Sequence, residues 1–133
     1  MLVDTSVWSL ALRRDAPAGV PEVQALERAL KAGEMVLTTG LVLQELLQGF
    51  SGPKARDAIL ERFGHLPLLV PDRADHVEAA DLRNRCRRRG VQIGTVDALL
   101  AGLCLRYDLT LLTIDADFSQ VASVAPLSVW RGE

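Results

Sequence analysis

Residues 109–117 read Leu109-Thr110-Leu111-Leu112-Thr113-Ile114-Asp115-Ala116-Asp117, a short apolar run that stops on acids. The N-terminus repeats the pattern in Met1-Leu2-Val3-Asp4. Short runs without polar alternation are the signature of strands buried on both faces, which belong to parallel sheets covered by helices. Outward from these two, further strands are expected over 35–38, 68–70 and 127–130. Helices are expected between them, over 6–14, 22–31, 41–50, 54–63, 73–89 and 98–105. The second of these carries Val23, Leu26, Ala29 and Leu30 at helical spacing, with Gly33 as a stop. Ala98 to Leu105 is apolar on every side, which marks a buried helix. Strands separated by helices predict an α/β fold: a three-layer α/β/α sandwich with a central parallel sheet, its topology restricted by right-handed crossovers. The 133 residues make one domain, expected to span 1–133.

Hydrophobic residues make up 49% and charged ones 24%, enough for a core and unlike a disordered chain. Fifteen Lys and Arg against seventeen Asp and Glu leave a net charge of −2. That balance excludes a histone-like polycation that grips nucleic acid through bulk charge. Cys86 and Cys104 form no C-x-x-C pair and have no His at ligand spacing, so both are expected to be reduced structural thiols. The chain reaches Asp4 without a secretory n-region and h-region. The apolar run 98–105 falls far short of the about 18 residues that cross a bilayer, so a cytoplasmic protein is expected.

In an open parallel sheet the carboxyl ends of the strands line the ligand crevice, where strand order reverses. Asp4 and Asp115 would meet there, with Asp117 two residues on and hydroxyls at Thr5, Ser6 and Thr113. The plainer alternative is that Asp4, Ser6 and Asp115 cap the helices that follow. Asp97, in Gly94-Thr95-Val96-Asp97, reads equally as a first-turn acid with Thr95 as cap or as a third acid on the same rim. Glu45 shares an arc with Gln44 and Gln48 on an otherwise apolar helix, at the margin of a buried face or inside a pocket. Carboxylates converging on one rim repel unless protons or cations neutralise them. Hard oxygen donors without His or Cys select Mg²⁺ or Mn²⁺ over zinc. Such ions acidify water and stabilise both oxygens of an in-line phosphodiester displacement, so metal-dependent phosphodiester hydrolysis is the expected chemistry.

Four segments in order resemble PIN domains: Leu2-Val3-Asp4-Thr5-Ser6-Val7-Trp8, Glu45-Leu46-Leu47-Gln48-Gly49, Thr95-x-Asp97, and Leu112-Thr113-x-Asp115-x-Asp117-Phe118. Their key acids are spaced by 41, 52 and 18 residues. The chain looks most like the toxins of VapBC toxin–antitoxin modules, and the resemblance covers essentially its whole length. It implies a single PIN-like domain and a Mg²⁺- or Mn²⁺-dependent endoribonuclease that hydrolyses RNA. It implies a homodimer and a cognate antitoxin as partners. Position by position, Asp4, Glu45, Asp97 and Asp115 would be the acidic quartet, and Asp117 would assist in binding metal. Thr5, Ser6 and Thr113 fit the family's hydroxyl positions. The run Ala98-Leu99-Leu100-Ala101-Gly102 departs from the family's more usual Ile-Ala-Ala type and concerns packing.

Arg83, Arg85, Arg87, Arg88 and Arg89 crowd the end of one helix, with Arg83 and Arg87 on one face. They suit a helix C-terminus as plain solvated charge. Arg83, Arg87 and Arg88 would equally serve as contacts for RNA phosphates or for acidic residues of an antitoxin. Arg13 and Arg14 form a second small cluster. Trp8 and Trp130 are expected to pack in the core or at an interface and not to serve as base-stacking platforms, since aromatics are only 5% of the chain, and His65 and His76 have no assigned role. Two other nuclease-free or partner-free readings stay open: a catalytically silent PIN-like binding module, and a housekeeping PIN nuclease without antitoxin. A phosphate-handling receiver or dehalogenase would need a later Lys, whereas only Lys31 and Lys54 exist. With five acids set aside for a metal site, the remainder of the chain is mildly basic, fifteen cations against twelve anions.

Overall fold

The computed structural model of the protein describes all 133 residues except Arg14, Ala16 and Glu133. Arg14, half of the small Arg13–Arg14 cluster, therefore lies outside the described residues. In chain order the elements are β1 (Leu2–Val3), α1 (Thr5–Leu12), α2 (Pro21–Lys31), β2 (Thr38–Thr39), α3 (Gly40–Gly49), α4 (Pro53–Phe63), β3 (Leu68–Leu69), α5 (Arg73–Arg88), α6 (Thr95–Tyr107), β4 (Thr110–Leu112), α7 (Asp117–Val121) and β5 (Ser128–Val129).

All strand pairings are parallel: β1 with β4, β4 with β5, and β2 with β3. A parallel bridge from Leu2 to Leu37 joins the two groups, supported by the Leu37 amide donating to the Met1 carbonyl at 2.9 Å. The order across the sheet is thus β3-β2-β1-β4-β5. The chain runs outward from β1 through β2 to β3, then crosses back to β4 and on to β5. Strand order consequently reverses between β1 and β4, which is where a doubly wound sheet opens its ligand crevice. Right-handed crossovers in opposite directions put α1–α4 on one face and α5–α7 on the other. The packing agrees: α1 lies against α2 and α3, α3 against α4, and α5 and α7 against α6. The three-layer α/β/α architecture expected from the strand runs is the one observed.

The core fills both interlayer spaces. Leu2, Val3, Leu111 and Leu112 are fully buried in the two central strands. Trp8 stacks at a tilt on Phe63, ring centroids 4.9 Å apart. In α6, Ala98, Leu99, Leu100, Ala101, Leu103 and Cys104 are all buried, as a helix apolar on every side requires. The two cysteines are free, buried thiols. Burial pushes the Cys104 thiol up to about 12, so it is an unreactive core residue.

Three local expectations shift. The second strand was expected at 35–38, yet Met35 is exposed and the paired residues are Thr38 and Thr39, both fully buried. There Thr39 also caps α3, accepting from the Val42 amide at 3.3 Å. Helix α6 begins three residues ahead of the apolar run, with Gly94 and not Thr95 at the N-cap. Its far end turns at Asp108, the one non-glycine of the described residues with positive φ, +54°, which feeds directly into β4. Helix α7 was not expected at all; five residues are too few to show a period. No described helix is long and apolar enough to cross a membrane.

Candidate active site

The central strands deliver their acids to one rim. Asp4 follows β1, and its backbone N–H donates to the Leu112 carbonyl of β4 at 2.9 Å. Asp115 lies three residues beyond β4. Asp4 occupies the N-cap position of α1, but its carboxylate makes no cap hydrogen bond. It is almost fully buried, and its Oδ2 accepts from the Ser6 hydroxyl at 2.7 Å and the Thr113 hydroxyl at 2.8 Å. The capping explanation of this residue therefore fails.

Ser6 and Thr113 do more than hold Asp4. Each hydroxyl has one proton, and both protons point to Asp4. Their own oxygens then accept from the next strand-end loop: Ser6 from the Ile114 amide at 3.3 Å, Thr113 from the Asp115 amide at 3.0 Å. The 3.3 Å approach between the two hydroxyl oxygens is accordingly a side-by-side contact. Asp115 in turn accepts from the Asp117 amide through Oδ1 at 2.9 Å, which starts α7. The N-cap position itself is Ala116, so Asp115 reaches the first helical amide from one residue before the cap. Thr5 donates to Glu45 Oε1 at 2.6 Å, tying α1 to α3 and holding an exposed carboxylate at the same edge.

Asp97, in the first turn of α6, closes the group. Burial, and then the charges of Asp4, Asp115, Glu45 and Asp117, raise its pKa to about 6. The same four acids identified along the sequence are thus the ones whose charge Asp97 feels. Among the described residues no three carboxylates, imidazoles or thiols are gathered tightly enough to enclose a bare ion. The donor set fits an open, hydrated Mg²⁺ or Mn²⁺, since magnesium retains several waters and needs only one or two carboxylates. It does not fit zinc, which prefers nitrogen and sulfur.

Two clefts adjoin the acids. One, about 630 Å³, is lined by Arg83, Arg87, Gln92, Gly94 and Asp117, so cations of α5 face an acid of the site. Arg83 is fixed by its Nε donating to the Ile93 carbonyl at 2.9 Å. Arg88 is not in this cleft; it lines a separate basic hollow with Arg85 and Arg89. The second cleft adjoining the acids, about 280 Å³, contains Thr113, Asp115 and Ser119, together with Glu22, Trp130 and Arg131. Those last three had no site role in the sequence reading.

A PIN domain family model matches residues 1–124, the span that contains every acid of the rim. The chain belongs to the PIN domain family. This PIN domain is 27% identical over 129 residues to Ribonuclease VapC11 of Mycobacterium tuberculosis, covering 96% of this chain and 95% of that protein. A VapC ribonuclease of Mycobacterium bovis matches with the same identity and coverage. Among solved structures, DNA-bound VapBC from Salmonella typhimurium has a TM-score of 0.75 at 20% identity, covering 97% of this chain and 95% of that one. VapBC2 from Rickettsia felis, bound to a DNA fragment from its promoter, has a TM-score of 0.74 at 20% identity, covering 99% and 98%. At that identity the structural likeness speaks for the fold.

In this PIN domain, then, Asp4, Glu45, Asp97, Asp115 and Asp117 share one rim with Thr5, Ser6 and Thr113. Arg83 and Arg87 lie beside it. The cleft with Trp130 and Arg131 had a signal in the sequence, a Trp-Arg pair at the end of the last strand run, 127–130. Its meaning emerges only once β5 is known to pair with β4.

Proposed function

We propose that this PIN domain is a Mg²⁺- or Mn²⁺-dependent endoribonuclease, the toxin of a VapBC-type toxin–antitoxin pair. The observation that carries the reading is the surroundings of Asp97. Burial first, and then the charges of four neighbouring acids, raise this carboxyl to about 6, and a divalent cation among those acids would relieve their mutual repulsion. Relatives named as VapC ribonucleases support RNA as substrate, and VapBC complexes among the fold neighbours support a protein partner.

Asp4, Asp97 and Asp115 would hold the ion, one or two of them directly and the rest through its waters, with Asp117 alongside and Glu45 completing the acidic set. When bound, the ion supplies Lewis acidity, acidifying water and neutralising charge that builds on a phosphate. The chain's own groups do the positioning. Ser6 and Thr113 bind one carboxylate oxygen of Asp4, fixing the carboxylate plane and leaving Oδ1 for a ligand. Thr5 restrains the exposed Glu45, whose carboxylate can accept a proton from a water in reach. Arg83 and Arg87 offer guanidinium forks to backbone phosphates entering the cleft, which offsets the repulsion between an RNA strand and the acids. Arg88, with Arg85 and Arg89, extends that basic surface for RNA or for acidic side chains of the antitoxin. A cytoplasmic homodimer is part of the same reading.

The test is cleavage of an RNA pool by protein stripped with EDTA. Cleavage is expected only after Mg²⁺ or Mn²⁺ is restored. Cleavage that persists in EDTA, or none with either ion, would overturn the proposal.

A further inference from the structure

The cleft that shares Thr113 and Asp115 with the acidic rim extends beyond it to β5, and there its composition is different in kind. It joins an indole (Trp130), a guanidinium (Arg131), a carboxylate (Glu22) and a hydroxyl (Ser119) to the Thr113–Asp115 strand end. Its volume, about 280 Å³, falls below the about 300–1,000 Å³ of pockets for drug-sized ligands, and suits a single flat ring.

The fold holds Trp130 there firmly. Strand β5 pairs in parallel with β4 through Thr110–Ser128 and Leu111–Val129, so both strands end at the same rim. The Trp130 amide extends the ladder, donating to the Leu111 carbonyl at 2.9 Å. Gly132 then takes φ +78°, a conformation natural to glycine, and brings its backbone alongside the indole; a Cβ built there would lie 3.7 Å from Cη2 and Cζ3. The ring is half-buried: part of it packs on the core and part lines the cleft. Trp8, by contrast, is enclosed in the core and unavailable to any ligand.

We propose that Trp130 and Arg131 form a nucleotide subsite next to the scissile position, where one base of a single-stranded RNA stacks on the indole and its phosphate meets Arg131. This rests on the ribonuclease reading above, and it adds a determinant of which strand segments are cut. Glu22 explains why the ring-sized space takes a base and not a second phosphate. A carboxylate repels phosphate but accepts from an exocyclic amino group, as acidic side chains do from cytosine N4. Adenine, cytosine and guanine carry such a group, whereas uracil offers only its ring N3–H, flanked by two carbonyl oxygens that a carboxylate repels. Uracil should therefore be the base least favoured at this position.

Cleavage sites in a randomised RNA, mapped for the wild type, Trp130→Ala and Arg131→Ala, test the subsite. The wild type should disfavour uracil at one position beside the cut. Trp130→Ala should erase that bias and raise KM about five- to 150-fold, the range expected for a lost base–aromatic stack, with kcat at saturating RNA little changed. Arg131 is exposed, so Arg131→Ala should leave the fold intact and flatten the salt dependence of binding by about one phosphate contact. Unchanged KM and unchanged base preference in Trp130→Ala would overturn the subsite while leaving the ribonuclease standing. A wild type that cuts no RNA would overturn the ribonuclease reading, and tryptophan emission then decides the subsite alone. A short single-stranded RNA should quench emission of an Asp97→Asn protein and should not quench Asp97→Asn/Trp130→Phe. Equal quenching of both, or of neither, contradicts stacking at Trp130.

Discussion

At the scale of single residues, Thr113 connects the two central strand ends. Its hydroxyl donates to buried Asp4 and accepts from the Asp115 amide, so one oxygen joins two acids that come from different strands. Replacement by Val keeps the shape and removes both bonds. Leaving a buried carboxylate and an amide short of partners should cost about 1–3 kcal/mol in denaturant unfolding, and Thr113→Ser should recover most of it. Asp97 behaves in the opposite sense, because its charge is a liability in the folded chain. With its pKa raised from 3.8 to about 6, it stabilises the fold while protonated, and that contribution is lost as pH rises through this window. Metal-free Asp97→Asn should therefore melt higher than the wild type at pH 7, the two converging below pH 4. Mn²⁺ should raise the wild-type Tm and leave that of Asp97→Asn nearly unmoved. A variant less stable than the wild type at pH 7 would mean that Asp97 is a structural residue. The sequence made Asp4 and Asp115 visible as acids at strand ends and Asp97 as an acid in a helix's first turn; it did not reveal that Ser6 and Thr113 share one oxygen of Asp4.

At the scale of elements, α5 and the loop after it control the approach to Asp97. Arg83 bonds the carbonyl of Ile93, one residue before the Gly94 cap of α6, so its guanidinium steadies the loop from which the Asp97 turn begins. Arg87, one turn further on, is exposed in the same cleft. These two neighbours should respond differently. Arg87→Ala should leave Tm unchanged and lower the slope of log Kd against log salt by about one, measured by anisotropy of labelled RNA. Arg83→Ala should change binding and also lower Tm; equal effects from both would show that the Ile93 bond contributes nothing. Long helices were legible because their apolar stripes repeat, as in α2 with Ala25, Leu26 and Ala29 buried. The start of α6 was read three residues late because Thr95, Val96 and Asp97 carry no apolar period of their own. The β2 pairing falls on Thr38 and Thr39 because burial there comes from neighbouring layers, which a local hydrophobicity pattern does not register.

At the scale of the whole molecule, strand order turns scattered acids into a site. Five parallel strands in the order β3-β2-β1-β4-β5 place the reversal between β1 and β4, and Asp4 and Asp115 stand on its two sides. The alternation of strands and helices predicted the layers, while the order itself depends on which edges pair, and no local pattern encodes that. The Trp130 cleft shows the same gap: the ring packs on the core as expected, but that it also lines a cleft beside Asp115 follows only from β5 lying beside β4. The near-neutral total of −2 likewise conceals a separation, with acids concentrated on one rim and Arg83 and Arg87 beside them. The most direct test of the account is the rate of RNA cleavage at saturating Mn²⁺ by wild type, Asp4→Asn and Asp97→Asn, each shown to be folded by its thermal transition. Loss of cleavage in both folded variants is the predicted result, and cleavage at the wild-type rate in either would contradict the assignment of the acidic rim as the active site.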